Sequence, residues 1–445
     1  MLVLAAGVLV SARPPQEADT SYPLFWTWLG LRPGSNFEAE CLKMKELGID
    51  GVILNAPTPD DYRRVIPTAH KYGITVYAWL WTVNLEHDRN RILSEHPDWF
   101  SVNRLGRSLA DTTAYVGYYR FLCPALPQVR EYVNDKVRSF CEVEGLDGIA
   151  IDYHRFVDVV LPTTLWPRYG VVQDKEYPEW DFGYHPEMIR LFKEKYGYDP
   201  REQDDPSADL LWRQFRCDQI TEVANLLAAT VHSYGKVMAA SPFPTPKMAS
   251  RMVRQDWGAW DLDIVFPMVY HNFYTFDPSF AYDCTAENFH DKNPGTTLYC
   301  GLMYSDDITE CMDEAFRAGA RGIAIFTMDG IRRPEQAGRF RAYTDSVRAV
   351  VAAHGGLPAV QEPGRADTDP FSHPGIMAKV EKRMKSMQDP QLPQLKLGEY
   401  RCLGARDAAR DYEVTDTASG TTFIVTFYLY GDVISGWDVV RKVPE

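Results

Sequence analysis

Apolar and polar positions along the chain recur in a fixed order. Eight short apolar segments are mostly separated by amphipathic stretches: PLFWTWLG from Pro23, GVILNA from Gly51, ITVYAWLW from Ile74, GIAIDYH from Gly148, VMAASPF from Val237, DIVFPMVY from Asp263, TLYCGLMY from Thr297 and GIAIFTMD from Gly322. Several follow a helical pattern that closes on Gly, as in KMKELGIDG, AHKYGIT, VHSYGKV and FRAGARGIA. Gly takes the left-handed turn at a helix end without steric cost, so Gly followed by a β-branched run marks a helix-to-strand junction. Eight strand-like segments in this alternation predict an α/β fold, the (β/α)8 TIM barrel. A doubly wound sheet would alternate in the same way, but it would bring a Gly-rich phosphate loop after its first strand, where this chain has Trp26-Thr27-Trp28. Residues 82–122, after the third segment, and the stretch after the fourth are long and rich in charge and aromatics. Loops at the C-terminal ends of barrel strands are where such folds keep their sites.

Residues 355–374, GGLPAVQEPGRADTDPFSHP, are crowded with Pro, Gly and Asp and read as a linker. Beyond it the pattern predicts one helix, roughly Gly375 to Met387, and alternating strands such as TTFIVTFYLY from Thr421 and GWDVVRKV. The division expected is a barrel over 21–354 and a small α+β accessory domain over 375–445. The opening MLVLAAGVLVSA is too short to span a bilayer and ends in the small-x-small pattern Val10-Ser11-Ala12. It reads as the remnant of a signal peptide over 1–20, which predicts an exported protein, periplasmic, on the outer surface or secreted.

A net charge of -14, with no run of Lys and Arg, argues against nucleic acid or an anionic membrane as partner. No segment reaches the ~18 apolar residues of a membrane helix. Aromatic residues make up 13% of the chain, with 11 Trp and 25 Tyr, enough to line a binding surface as well as a core. The eight Cys show no CxxC and no metal-ligand spacing, so buried free thiols are expected, with one or two disulfides open after export.

Within the fourth strand, alternation puts Ala150, Asp152 and His154 on one face and Ile149, Ile151 and Tyr153 on the other. The isoleucine face must meet the helices, so Asp152 and His154 are expected to point at the barrel axis near its C-terminal rim. A carboxylate there is costly unless paired or used. A structural Asp bound to Arg155 or to neighbouring backbone amides is the plainer alternative. Trp26 and Trp28 share one parity of the first strand, as Trp79 and Trp81 do of the third. Rings at strand ends could stack on the apolar faces of sugars, and core filling is the competing use. Tyr270 and His271 end the sixth strand and Asp329 the eighth. Four strand ends carrying polar or titratable groups toward one rim are a stronger signal than any one of them.

Several segments, in order, carry a resemblance: HPDWFSVNRLGR from His96, FLCPALPQVREYV from Phe121, LDGIAIDYHRF from Leu146, YHPEMIRLFKEKYGYDP from Tyr184, WRQFRCDQITEVANLLAATV from Trp212 and DIVFPMVY. Over about residues 22–345 the chain resembles the family-10-like glycoside hydrolases, a glycosyl hydrolase-like TIM-barrel family. The departures are Tyr153 where the family often has a second Asp, Cys123 where it has Asn, and Met268 where it has Gln. The resemblance implies cleavage of glycosidic bonds in cell-envelope or plant-type glycans, with a carbohydrate as partner. Glycoside hydrolysis needs two carboxyl groups flanking the bond. Asp152 supplies one, and Asp329 is the first candidate for the other, with Glu179 or Asp181 next. In the mechanism expected, Asp152 is nucleophile or base, His154 and Arg155 hold it ionised and oriented, a second acid with raised pKa protonates the leaving oxygen, and no metal or cofactor is required. A carbohydrate-binding barrel without catalysis is the alternative, and a lyase or metal-dependent enzyme is disfavoured by the lack of ligand spacing.

Overall fold

The computed structural model describes residues 22–173, 175–274, 277–354, 357, 380–381, 384–385, 397–406, 409–430 and 433–442. The expected signal peptide, the linker and most of the helix expected over 375–387 lie outside the described residues. Eight parallel strands close into a barrel in chain order: β1 (Phe25–Gly30), β2 (Gly51–Asn55), β3 (Thr75–Trp81), β4 (Gly148–Asp152), β5 (Val237–Ala240), β6 (Ile264–Val265), β7 (Thr297–Met303) and β8 (Gly322–Phe326), with β8 pairing back to β1. Each lies within one of the eight apolar segments. Helices occupy the intervals, and their ends carry the expected chemistry. Thr58 and Asp61 form a reciprocal capping box ahead of the helix Pro59–Lys71, and Gly48 closes the helix Phe37–Leu47 at φ 75°.

The two faces of each strand serve two cores. Ile149 and Ile151 join the outer cluster between barrel and helices, whereas Ala150 joins the interior cluster with Trp26, Trp28, Ile53, Tyr77, Phe266 and Tyr299. The interior accommodates so many large rings because facing positions are glycine. A Cβ on Gly51 would sit 2.3 Å from the Trp26 indole, and one on Gly322 would sit 2.3 Å from the Tyr299 ring. Large residues pair with Gly at Trp26–Gly51, Tyr77–Gly148 and Tyr299–Gly322, and these pairs help fill the barrel as a solid core.

The remaining strands, β9 (Leu397–Arg406), β10 (Ala409–Asp416), β11 (Thr422–Tyr430) and β12 (Val433–Lys442), form an antiparallel sheet in the order β12-β11-β10-β9. Phe423, Val425 and Phe427 alternate onto one face of β11 and share a buried cluster with Val380, Met384 and with Leu161, Trp166 and Trp180 of the segment after β4. The sheet thus packs against the long loop that follows Asp152. Every cysteine whose side chain is described is a buried free thiol. Among the described residues no helix is long and apolar enough to cross a membrane.

Candidate active site

Asp152 is the last residue of β4 and only 6% exposed. Its strand parity follows Gly148 and Ala150, so the carboxylate rises from the barrel interior at the C-terminal rim. Two donors hold it: the Trp79 indole Nε1 to Oδ2 at 2.9 Å and the Tyr153 backbone N–H to Oδ1 at 2.5 Å. Burial pushes its pKa up to about 6, outweighing these two hydrogen bonds and the Arg155 charge, and the Glu86 charge pushes the same way. A carboxyl poised near 6 exchanges a proton readily at neutral pH.

Aromatic rings cluster around Trp79, which holds this carboxyl group. Phe326, closing β8, makes edge contacts with Trp28 at 5.9 Å and Trp79 at 6.4 Å, and the Tyr270 ring stacks on it at 5.6 Å. Desolvation raises the Tyr270 pKa, and the Asp152 charge adds to the effect, so the phenol stays protonated within reach of that field. Trp81 packs on Tyr153 with centroids 4.1 Å apart and on Tyr118 at 5.9 Å. Trp79, Trp81, Tyr153 and Phe326 are partly exposed and Tyr118 is exposed, so these rings offer faces at the rim.

Several expected site residues lie elsewhere. Trp26 is fully buried, its indole donating to the Pro23 carbonyl at 2.9 Å, and it fills the barrel interior rather than meeting a ligand. Trp28 is 1% exposed and donates to Ser241 Oγ at 3.3 Å, beneath the rim. His154 does not share the Asp152 face, because Tyr153 adopts φ 49° and the alternation of β4 stops there. Its ring turns outward, Nδ1 at 2.8 Å from Thr82 Oγ1 and Nε2 at 2.9 Å from the Ile220 carbonyl, and burial lowers its pKa to about 4, leaving it neutral at pH 7. Arg155 pairs with Asp158 at 3.1 Å, not with Asp152, and lies 5.0–5.6 Å from the rings of Phe243, Tyr153, Phe121 and Tyr119. It braces Tyr153 from below and reaches Asp152 only through its charge.

None of the residues expected to supply the second carboxyl has a described contact with Asp152. Asp329 stands in the turn Met328–Gly330, 54% exposed, 3.5 Å from Lys43 on the helix Phe37–Leu47, and no described contact links it to Asp152. Glu179 is exposed in the loop after β4, and its backbone carbonyl accepts from Asn103. Asp181 is fully buried among arginines. Glu86, which sequence reasoning missed, is the carboxylate whose charge Asp152 feels. Asn55, at the end of β2, donates from Nδ2 to Glu86 Oε2 at 2.9 Å and to the Trp79 carbonyl at 3.2 Å. One amide therefore ties Glu86 to the residue that holds Asp152. His271 is buried and meets Asp307 at 3.2 Å.

These residues, from β2, β3, the loop after β3 and β4, lie in one segment that matches a family model. Residues 35–160 match the glycosyl hydrolase-like 10 family. The glycosyl hydrolase-like 10 match takes in Asn55, Trp79, Glu86 and Asp152, all four members of the network above. No curated protein matches the chain in sequence. Among solved structures, the chain is similar to a GH36 α-galactosidase from Geobacillus stearothermophilus in complex with stachyose, at 8% identity and TM-score 0.42, covering 93% of this chain and 48% of that one. It is similar to a GH30 endoxylanase from Clostridium papyrosolvens at 9% identity and TM-score 0.37, covering 91% and 81%. A family 2 AP endonuclease from Brucella melitensis is similar at 9% identity and TM-score 0.34, covering 75% and 99%. The chain spans about half the length of the α-galactosidase. These three likenesses assign no activity to this chain.

Proposed function

We propose that the protein is a glycoside hydrolase in which Asp152 is the proton donor to the leaving oxygen and Glu86 is the second carboxyl. The observation that carries this reading is the state of Asp152: a buried carboxyl at the rim of a barrel, held by the Trp79 indole, with a pKa pushed up to about 6. The family resemblance of the segment around it supports the same reaction class. A carboxyl retained in the protonated form near neutral pH is what protonation of a glycosidic oxygen requires, and the second carboxyl then serves as base or nucleophile. The raised pKa favours Asp152 as acid, rather than the nucleophile or base expected from its strand position alone. Trp79 has two tasks in this scheme. Its indole N–H fixes the carboxyl rotamer, and its ring, with Trp81 and Tyr153, gives a sugar an apolar surface to lie on. An exported protein acting on cell-envelope or plant-type glycans fits this reading, and the substrate class is best found by reducing-end release across both kinds of polysaccharide.

The test is Glu86→Gln. It keeps the Asn55 contact and the shape of the loop while removing the charge, so it should lower kcat roughly 10²–10⁴-fold with little change in melting temperature. A folded Glu86→Gln protein with wild-type turnover would remove Glu86 from the reaction.

A further inference from the structure

Among the described residues the fold gathers one set of ligating side chains that the linear spacing did not reveal. His271 opens the short helix His271–Tyr274 after β6, Asp307 immediately precedes the helix Ile308–Arg317 after β7, and Cys311 lies in its first turn. His271 Nε2 is 3.2 Å from Asp307 Oδ2, and Cys311 Sγ is 3.6 Å from His271 Nδ1 and 3.8 Å from Nε2. One donor atom from each of the three lies within 4.8 Å of the other two. Asp307 and Cys311 are four residues apart, so the helix sets both on one face.

The dimensions fit a small tetrahedral cation. Bonds of ~2.0–2.3 Å from zinc to nitrogen, oxygen and sulfur place neighbouring ligand atoms ~3.3–3.7 Å apart. The observed separations of 3.2 Å and 3.8 Å fall just outside that range on either side, a shift small enough for the ion to draw in. Sulfur, imidazole and carboxylate together suit zinc rather than the oxygen-seeking magnesium or calcium. A supporting contact is already in place, since Ser305 Oγ donates to Oδ1 of Asp307 and leaves Oδ2 turned toward His271. His271 and Cys311 are buried, whereas the Asp307 side chain is 36% exposed, so an ion can enter past the carboxylate and keep a water at its fourth position.

We propose that His271, Asp307 and Cys311 form a zinc site that ties the loop after β6 to the loop after β7. On binding, the Cys311 thiol gives its proton to solvent and the thiolate, one imidazole nitrogen and one carboxylate oxygen bond the ion. The ring turns so that a single nitrogen faces the sulfur, which now sits nearly midway between the two. Tyr270 adjoins His271 and stacks on Phe326, so the ion fixes one wall of the rim around Asp152 without entering the reaction.

The experiment uses the full chain, stripped with chelator and titrated with zinc chloride and, separately, with cobalt chloride. Expected are one ion bound per chain, a zinc-dependent rise in melting temperature, and a near-ultraviolet thiolate-to-cobalt band with the intense visible absorption of a tetrahedral centre. Cys311→Ser should abolish the band and weaken zinc binding at least tenfold, and Cys41→Ser, in the helix Phe37–Leu47, should change neither. Asp307→Ala, at the exposed ligand, should also weaken binding tenfold and covers the case in which Cys311→Ser does not fold. No binding by the wild-type chain, cobalt binding without a thiolate band, or undiminished zinc binding in either ligand variant would overturn the site.

Discussion

Asp152→Asn is expected to cut turnover roughly 10²–10⁴-fold while leaving the protein as stable at pH 7 as the wild type, or more so. Both halves follow from the same burial. The folded-state pKa of about 6 lies above the unfolded value of ~3.9, so the proton is bound more tightly in the folded chain. The associated stability is fully present below the unfolded value and is lost as pH rises through about 6. Above that pH the ionised carboxylate weighs against folding by ~3 kcal/mol, from two pKa units at 1.36 kcal/mol each. Asn removes that charge and gives up one of two accepted hydrogen bonds, at ~1 kcal/mol. The melting temperature of the variant should therefore equal or exceed that of the wild type at pH 7 and lose its advantage by pH 4. Glycan binding should survive, because the rim rings are untouched. A structural aspartate would show the reverse, with stability lost and no specific loss of rate. Melting curves at the two pH values, with turnover on the same preparation, distinguish the cases.

The largest stability effect is expected at Asp181. Its Oδ2 accepts from Arg104 Nε at 3.1 Å, Arg104 Nη2 at 2.8 Å and the Tyr184 hydroxyl at 2.8 Å, and Oδ1 accepts from Arg216 Nη1 at 2.5 Å with Arg254 at 3.6 Å. Burial alone would raise its pKa, but the charges of Arg216, Arg254 and Arg104 outweigh it and hold the carboxyl well below the usual range. Its contribution is thus present at all pH values above the unfolded ~3.9 and fades only as pH falls below that. Asp181→Ala strands buried guanidinium groups and should cost ~3–5 kcal/mol, undiminished from pH 5 to 8. Urea unfolding at pH 7 measures it, and a loss under ~1 kcal/mol would show that the arginines find other partners. This network anchors the loop after β4.

How much of this was legible in the chain varies from residue to residue. Ile149 and Ile151 against Ala150 and Asp152 revealed a strand with a helix-facing side and an axis-facing side, and the eight strands lie in the segments that the same pattern marked. Alternation tells which way a side chain points but not how high in the barrel it sits, so Trp26 and Trp79 looked equivalent. Gly51, beside Trp26 in the β1–β2 register, was the available sign that Trp26 fills the interior. His154 was misplaced because the rule assumes extended backbone, and a left-handed tyrosine at Tyr153 is not something local sequence foretells. Glu86 lies in a loop without periodicity, and only closure of the barrel brings it to Asn55 and Trp79. His271 and Cys311 are likewise joined by adjacency of β6 and β7, across 40 residues of chain.

In the proposed mechanism Asp152 donates a proton from a site that holds its pKa near 6, and the dependence of kcat/KM on pH tests this most directly. Wild-type cleavage should fall above pH 6, tenfold per unit once the group is ionised. Trp79→Phe should move that limb to higher pH, because the lost indole hydrogen bond had favoured the charged form. A rate level from pH 5 to 8, or a limb that stays in place in Trp79→Phe, would contradict the assignment.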